Sequence, residues 1–425
     1  MVGVQWGDDM TNFLHRRLVL IMVTLLLGPG AWAQGNYRTL HRFNGGSNGG
    51  TPRSGLIFDA SGNLYGTTFS GGDATCNCGV VFRLTASSDG SWKESALYAF
   101  SGGSDGASPV AGLIFDHNGN LYGTTLLGGA ANFGTVFELT PNASGKWTET
   151  VLYSFTGGSD GGSPAASLIF DQKGNLYGTT ETGGAPTGYG VVFKLALKKN
   201  GAWTESVLLN FDGKGGAYSQ AGLIFDQAGN LYGTAGGGAL GYGVVFKLAP
   251  KSNGHWTESV LHVFTDGTDG GSPAAGMIFD QAGNLYGTTA AGGGVNPCAG
   301  NGCGVVFRLT PDAKGKWTES VLHSFCSLDL CMDGADPQAG LTFDSAGKLY
   351  GTTFEGGSPA FHEGVVFRLA PNSKGGWNET VLHRFVDNPG TNPASGLISD
   401  AAGNLYGTTL GDGEMTAGSV FQVAP

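Results

Sequence analysis

Residues 167–180 read SLIFDQKGNLYGTT, and variants of this stretch recur along the chain. Its second half, NLYGTT or a near variant, begins at Asn63, Asn120, Asn175, Asn230, Asn284, Lys348 and Asn404. Successive copies are 57, 55, 55, 54, 64 and 56 residues apart. Self-similarity at a near-constant period is the signature of a repeat architecture. We therefore expect one array of seven repeats and not several unrelated domains.

Each repeat contains four short runs that are typical of β-strands. In the third repeat these runs are 167–171 (SLIFD), 175–180 (NLYGTT), 190–195 (GVVFKL) and 203–211 (WTESVLLNF). They are rich in β-branched and aromatic residues and are bounded by Gly, Asp, Asn or Pro, which favour turns. Four-stranded units of this kind are the blades of a propeller. The sequence predicts an all-β, seven-bladed β-propeller with four-stranded blades.

The two ends of the chain indicate how the ring closes. The fourth strand is complete six times, beginning at Trp92, Trp147, Trp203, Trp256, Trp317 and Trp377, and its seventh copy is missing from the C-terminal end. The run 37–43 (YRTLHRF) matches 377–385, which also ends in Leu-His-Arg-Phe. An N-terminal strand added to the last blade would cover open sheet edges that otherwise template aggregation. We predict that this strand closes the ring and that the Leu-Ile-Phe strand is innermost.

The repeated pattern Leu-Ile-Phe-Asp-x-x-Gly-Asn-Leu-Tyr-Gly-Thr-Thr, followed by Gly-Val-Val-Phe-x-Leu, resembles the GloVer tandem repeat of bacterial choice-of-anchor proteins. The resemblance covers nearly all of residues 37–425, and the chain is more distantly similar to NHL-type propellers. It implies an exported repeat protein of unassigned function and carries over no catalytic residue. In contrast to that group, we expect no C-terminal anchor.

Residues 1–33 are predicted to be a secretory signal peptide. Arg16 and Arg17 precede the apolar run 18–27, and Ala31-Trp32-Ala33 has the small residues of a cleavage site. A membrane-spanning helix needs about 20 apolar residues, and this apolar run is shorter. We expect cleavage after Ala33, a start at either Met1 or Met10, and one propeller domain over 34–425. The mature protein is expected to be a monomer without a membrane span, in the periplasm, outside the cell or at its surface.

The formal net charge is −11 at pH 7. Nucleic-acid binding depends on clustered Lys and Arg, so we exclude nucleic acid as a partner.

We call the connections between blades and the loops between the second and third strands the long loops, and we expect them on one face of the propeller, the long-loop face. All six cysteines lie in these loops, and an even number in an exported chain indicates disulfides. We expect two bridges among Cys298, Cys303, Cys326 and Cys331, either within each loop or across the two. Cys76 and Cys78 are separated by one residue and could form a redox-active pair. A zinc site is the alternative, but the spacing differs from the paired C-x-x-C of structural zinc.

Acidic residues recur in the connections between blades, at Asp105, Asp160, Asp266, Asp269, Asp333, Asp336 and Asp387. Asp-Gly pairs favour turns, and oxygen-rich loops also bind calcium. Asp333 and Asp336 are the candidate calcium ligands, and no other cofactor is expected. His41, His262, His323 and His383 share one strand position and are interpreted as packing residues.

Residues that break the symmetry of the repeat are candidates for function. The residue after the loop proline is small or apolar in most blades, but it is Arg53 in blade 1 and Gln338 in blade 6, with Gln220 aligned in blade 4. These three are predicted to line the mouth of the central channel, unless they are only solvated residues at a strand start. Matches to the nucleophile elbow and to the dinucleotide fingerprint lack the strand–turn–helix setting that both require.

The sequence favours a non-catalytic module that binds glycan or protein through the long-loop face. One alternative is a propeller hydrolase or lyase with a metal on the axis, which would need inward carboxylates or histidines. The inner strands carry mainly Leu, Ile and Phe, with Thr342 and Ser399 as the polar exceptions. The other alternative is a passive cell-surface scaffold.

Overall fold

The structure, a computed structural model, describes residues 36–294, 302–358, 363–386, 390–411 and 417–425. The predicted signal peptide and its cleavage site after Ala33 lie outside these residues. Within the described ranges the chain forms 28 β-strands and one 3-10 turn. No helix in the described part of the chain is long and apolar enough to span a membrane.

The strands fall into seven groups along the chain, preceded by β1 (Asn36–Arg42). Blade 1 has β2 (Ile57–Phe58), β3 (Leu64–Thr68), β4 (Val80–Ala86) and β5 (Trp92–Ala99), and blade 2 has β6 (Ile114–Phe115), β7 (Leu121–Thr125), β8 (Thr135–Pro141) and β9 (Trp147–Ser154). Blade 3 has β10 (Ile169–Phe170), β11 (Leu176–Thr179), β12 (Val191–Leu197) and β13 (Trp203–Asn210), and blade 4 has β14 (Ile224–Phe225), β15 (Leu231–Ala235), β16 (Val244–Pro250) and β17 (Trp256–Val263). Blade 5 has β18 (Ile278–Phe279), β19 (Leu285–Thr289), β20 (Val305–Pro311) and β21 (Trp317–Ser324), and the 3-10 turn Asp329–Cys331 follows it. Blade 6 has β22 (Thr342–Phe343), β23 (Leu349–Thr353), β24 (Val365–Pro371) and β25 (Trp377–Arg384), and blade 7 has β26 (Ile398–Ser399), β27 (Leu405–Thr409) and β28 (Ser419–Ala424).

Every blade is a four-stranded antiparallel sheet, and β1 is the outermost strand of blade 7, in the order β1-β28-β27-β26. Tyr37 pairs with Val423 and Arg42 with Ser419. The predicted seven-bladed propeller, closed by its N-terminal strand, is therefore confirmed. The innermost strands have only two residues each, so they are shorter than the predicted Leu-Ile-Phe-Asp runs.

An Asp-x-x-Gly turn joins the first and second strands of each blade, and hydrogen bonds to its aspartate stabilise it. In blade 1, Asp59 Oδ1 accepts the backbone N–H groups of Ser61 and Asn63, both at 2.9 Å. Its Oδ2 accepts the Asn63 amide at 2.7 Å and the Tyr65 hydroxyl at 3.0 Å. Gly62 has φ +80°, which favours glycine. The turn carboxylate is therefore a structural group.

The hydrophobic core lies between blades. Tyr65 of blade 1 contacts Phe115 and Trp147 of blade 2 edge-on, with ring centroids 5.1 and 6.4 Å apart. On the other side of the same interface, Phe100 meets Phe137 at 5.2 Å. Apolar packing between neighbouring sheets buries the inner faces of both, so each blade is stabilised mainly by the next one.

A threonine hydroxyl from each blade also bonds to the next blade. Thr67 donates to the carbonyl of Ala111 at 3.2 Å, and the same bond follows from blade to blade. The series runs through Thr124 and Ala166, Thr179 and Ala221, Thr234 and Ala275, Thr288 and Ala339, and Thr352 and Ser395. It ends where Thr408 of blade 7 donates to Ser54 of blade 1 at 3.2 Å. The seven blades therefore form a closed ring.

Candidate functional site at the axial mouth

One residue from each blade lines a single cavity of about 370 Å³. These residues share one position of the repeat, and they are Arg53, Val110, Ala165, Gln220, Ala274, Gln338 and Ala394. Because every blade contributes the same position, the cavity surrounds the propeller axis; we call it the axial mouth. The structure places all three predicted residues, Arg53, Gln220 and Gln338, in its wall.

The wall is rigid because the loop prolines are tightly packed. A Cβ added to Gly304 would lie 2.6 Å from Cδ of Pro337, and one added to Gly418 would lie 2.5 Å from Cδ of Pro52. Only glycine permits this close approach, and both glycines have positive φ. The side chains of Arg53 and Gln338, one residue after these prolines, are thus held by a fixed backbone.

Small residues follow two positions after the mouth residue of each blade. They are Gly55, Gly112, Ser167, Gly222, Gly276, Gly340 and Gly396. A Cβ added to Gly340 would lie 3.2 Å from the carbonyl oxygen of Gly276. The blades therefore approach one another closely at this position of the repeat.

Arg53 is the cation of the axial mouth. Its guanidinium carbon lies 4.7 Å from the ring centroid of Phe69, a cation–π contact within the same blade. The Arg53 side chain remains exposed. The aromatic ring holds a charged group at the opening where a ligand would meet it.

Glu181 is the acid of the mouth, and it was not predicted. It follows the hexapeptide of blade 3, at a position occupied elsewhere by Phe69, Leu126, Gly236, Ala290, Phe354 and Leu410. Burial raises the pKa of Glu181, and a hydrogen bond with Gln220 partly offsets that effect. Of the seven residues that follow NLYGTT or its variants, Glu181 is the acidic one. A comparison of this position across the repeats would therefore have found it.

Gln338 is held by Asp336. Its Nε2 donates to Asp336 Oδ2 at 2.8 Å, and the backbone carbonyl of Asp336 accepts the N–H of Phe354 at 2.9 Å. Burial raises the pKa of the Asp336 carboxyl, and the nearby Glu355 raises it further. Asp336 thus positions one amide and one aromatic ring of the mouth.

Asp333, the other candidate calcium ligand, accepts hydrogen bonds from its own loop. It is fully buried, and its carboxylate accepts the backbone N–H of Ser327 at 2.9 Å and the Ser327 hydroxyl at 2.7 Å. The imidazole of His323 lies 3.4 Å away. Burial raises the pKa of Asp333, but the interaction with His323 and the hydrogen bonds from Ser327 outweigh it and hold that pKa below its usual range.

Asp333 and Asp336 do not belong to a common cluster of ligand atoms. In the described part of the chain, the one such group of three or more residues is Cys303, Cys326 and Cys331. All three are disulfide-bonded. Their sulfur atoms therefore do not provide the thiolates that zinc requires.

The cysteines pair within loops where both partners are described. Cys76 is bonded to Cys78, and Cys326 to Cys331 around the 3-10 turn. Cys303 is also disulfide-bonded, whereas Cys298 lies outside the described residues.

The remaining loop acids bind groups of their own blade. Asp105 accepts the hydroxyl of Tyr98 at 3.1 Å, and Asp160 accepts that of Tyr153 at the same distance. His262 lies 3.2 Å from Asp269 in the matching place. Asp266 lies in the same connection as Asp269, and its pKa is raised by burial. Asp387 is outside the described residues.

The four strand histidines do pack, each edge-on against a phenylalanine two residues later. The ring centroids of these pairs lie between 4.7 and 4.8 Å apart. Two of the four histidines, His262 and His323, also contact a loop aspartate, which the packing interpretation did not include. Blades 1 and 2 carry tyrosine at this position, and its hydroxyl donates to the equivalent loop aspartate.

The axial mouth combines polar groups with an apolar wall. Among the described residues that line it, Arg53 and Glu181 are the charged ones, Gln220 and Gln338 are amides, and Leu126, Phe354 and Leu410 are apolar. A pocket of this composition orients a ligand by a few hydrogen bonds and buries its apolar surface.

Structural comparison finds solved structures that are weakly similar to this chain. PorZ of Porphyromonas gingivalis, described as an essential surface component of the type-IX secretion system, is 15% identical with a TM-score of 0.43. The match covers 84% of this chain and 48% of PorZ, so the chain spans about half the length of that protein. A protein of unknown function from Dyadobacter fermentans is 10% identical with a TM-score of 0.44, and the match covers 93% of this chain and 100% of that one. No curated protein sequence matches the chain.

The repeat of this chain matches the model of a known protein family. The model of the Gloeobacter/Verrucomicrobia repeat matches residues 31–144, 75–300 and 294–425. These overlapping matches include all seven blades and the closing strand. The chain therefore belongs to the Gloeobacter/Verrucomicrobia repeat family.

Proposed function

We propose that this protein is an exported, non-catalytic binding module that holds the end of an acidic oligosaccharide in the axial mouth. The observation that carries the proposal is the convergence of four departures from the repeat, Arg53, Glu181, Gln220 and Gln338, on one cavity. Residues that the fold needs recur in every blade. These four come from blades 1, 3, 4 and 6 and are therefore best explained by a ligand.

The amides and the acid suit sugar hydroxyl groups. Gln220 and Gln338 each offer both a donor and an acceptor, and Glu181 offers two acceptor oxygens. A sugar also has apolar C–H faces, for which Leu126 and Phe354 provide complementary surface. Glu181 and Gln220 are already bonded to each other, so their orientation is set before a ligand arrives.

Arg53 accounts for the acidic character of the ligand. A guanidinium binds a carboxylate through two parallel hydrogen bonds, and such charge-assisted bonds are among the strongest in proteins. The contact with Phe69 keeps the guanidinium in place without neutralising it. A sugar that carries a carboxylate, such as a uronic acid, meets this requirement.

The size of the mouth favours a terminal sugar over a protein surface. Small-ligand pockets range from about 300 to 1,000 Å³, and this one has about 370 Å³. It is concave and narrow, whereas stable protein interfaces are broader, at roughly 800 Å² on each partner.

A glycan array followed by calorimetry on the purified protein tests the proposal. We expect hits among carboxylated oligosaccharides. Arg53→Ala should weaken binding about tenfold or more, since a hydrogen bond to a charged group contributes about 1.5–3 kcal/mol. Glu181→Gln should weaken it less. Lys173→Ala, which removes a cation from a tight turn on the opposite face, is the matched control and should bind normally.

Any of three results would overturn the proposal. An array without a hit excludes the glycan, and equal affinity of the parent and Arg53→Ala excludes the mouth as its site. Hydrolysis or elimination of a bound glycan, followed by mass spectrometry, would instead show that the protein is an enzyme.

A further inference from the structure

We propose a second binding site, for a planar aromatic ring that carries an amine, in a cavity between blades 6 and 7 on the face of the tight turns. The cavity measures about 460 Å³, and its lining includes Thr342, Asp344, Tyr350, Ser399, Asp400 and Pro425. The tight turns are the Asp-x-x-Gly turns, and they lie at the opposite end of the blades from the axial mouth. The inference is therefore independent of the proposed function.

The same place is filled by aromatic rings at other blade interfaces. At the interface of blades 7 and 1, Tyr406 meets Phe58 at 5.1 Å and Trp92 at 6.4 Å, both edge-on. At the interface of blades 3 and 4, Tyr177 meets Phe225 and Trp256 at 5.1 and 6.3 Å. The second strand of one blade thus contributes a tyrosine, and the next blade contributes two rings that cover it.

Blade 7 lacks both covering rings. Ser399 stands where the other inner strands carry phenylalanine, and in the sequence Gly35 stands where Trp377 stands in blade 6. Tyr350 of blade 6 therefore lines a cavity at the place where the missing rings would lie. A planar aromatic group is the shape that the rest of the interface is built to receive.

A second departure from the repeat lies in the same cavity. Thr342 replaces an isoleucine that occurs at this position in every other inner strand, and it lines the cavity together with Ser399. These are the polar substitutions of the inner strands. Two hydroxyl groups that the fold does not need therefore face one cavity, which indicates hydrogen bonding to a ligand.

Asp344 provides the charge that selects an amine. In blade 1 the matching carboxylate oxygen accepts both the Asn63 amide, at 2.7 Å, and a tyrosine hydroxyl. In blade 6 that asparagine is replaced by Lys348, whose Nζ lies 4.0 Å from Asp344 Oδ2. Asp344 Oδ2 keeps the Tyr350 hydroxyl, at 3.1 Å.

The loss of the amide leaves Asp344 with an acceptor site beside the cavity. Asp400 lies in the same wall, but its two oxygens already accept hydrogen bonds from Ala402, Asn404 and Tyr406. An ammonium group on an aromatic ligand would therefore bind Asp344, while its ring would lie against Tyr350.

Tryptamine is a suitable probe because it combines an indole ring with an ammonium group. We expect saturable binding to the purified protein by calorimetry and by saturation-transfer NMR, and much weaker binding of cyclohexylmethylamine. Ser399→Phe restores the residue of the repeat and should reduce tryptamine affinity about tenfold or more. Lys348→Asn, which restores the amide to Asp344, should also reduce tryptamine affinity.

Asp344→Asn and Asp59→Asn form a matched pair. They remove the same turn carboxylate, but the cavity is open at Asp344 and filled at Asp59. We expect only Asp344→Asn to lose affinity, although both should lower the melting temperature. The site is excluded if tryptamine does not saturate, if Ser399→Phe binds it as well as the parent, or if Asp59→Asn loses as much affinity as Asp344→Asn. Thermal melting of each variant verifies that it is folded.

Discussion

The ring of Tyr37 stacks on the imidazole of His383, with centroids 4.0 Å apart and planes 12° apart. Tyr37 belongs to the closing strand of blade 7, and His383 lies on the outer strand of blade 6. Tyr37 also contacts Phe385 edge-on at 5.8 Å. The N-terminal strand is therefore held by side-chain packing on blade 6 as well as by its pairing with β28.

Removal of residues 37–43 should greatly destabilise the ring or cause oligomerisation, because it exposes the edge of β28. Tyr37→Ala should cost about 2 kcal/mol, in the range of large-to-small changes at packed positions. Urea unfolding and size-exclusion chromatography measure both effects. Tyr242→Ala, at a more exposed tyrosine, is the control. A deletion variant that melts like the parent would show that ring closure by this strand does not matter for stability.

The outer strands carry a repeated glutamate that makes stability depend on pH. Burial raises the pKa to about 7 at Glu94, Glu149, Glu205, Glu258, Glu319 and Glu379. In five of these blades, an aspartate of the preceding connection raises it further. One oxygen of each of these carboxyls has no hydrogen-bond partner among the described residues.

The folded state therefore holds more protons than the unfolded state between about pH 4.3, the unfolded value, and the folded value near 7. Stability should rise as the pH falls through this window, and it should be lost as the pH rises through 7. His41, His262 and His383 act in the opposite direction, because burial lowers their pKa, to about 4 at His41 and His383. Six glutamates should outweigh three histidines.

Urea unfolding between pH 5 and 8 measures the net effect. Glu149→Gln should stabilise the protein at pH 8 by less than about 1 kcal/mol, because solvent screens a half-exposed group, and it should flatten the pH dependence. Glu138→Gln, on the third strand of the same blade, is the control. Stability that rises steadily from pH 5 to pH 8 would contradict this assignment.

Peptide mapping without reduction should recover Cys326 linked to Cys331 and Cys76 linked to Cys78. Because so short a loop is closed, replacing Cys326 and Cys331 together by serine should cost about 2 kcal/mol in the chain-entropy account. Bridges that join different loops would disprove the pairing within loops.

Calcium binding by Asp333 and Asp336 is tested by thermal melting with and without calcium. Since Asp333 accepts hydrogen bonds from Ser327, we expect Asp333→Asn to lower stability by about 1–3 kcal/mol to the same extent in both conditions. A calcium-dependent stabilisation that disappears in both Asp333→Asn and Asp336→Asn would instead establish the metal site.

Part of the axial mouth could be predicted from symmetry alone. Arg53, Gln220 and Gln338 occupy the same position of different repeats, so their departure from the small residues found elsewhere was visible in the sequence. Glu181 lies just after the second strand of its blade, whereas the other three precede the first strand. That these two positions lie side by side is a consequence of how the first and second strands meet around the axis.

The sequence by itself determined the number of blades, their four strands and the closing strand, because turns and strands depend on residues only a few positions apart. The tertiary structure alone decided which departures from the repeat share a cavity. Thr342 and Ser399 lie on different blades, and so do Arg53 and Glu181, so contacts between blades bring them together. Such contacts depend on the packing of side chains far apart in the chain, and no local pattern records them.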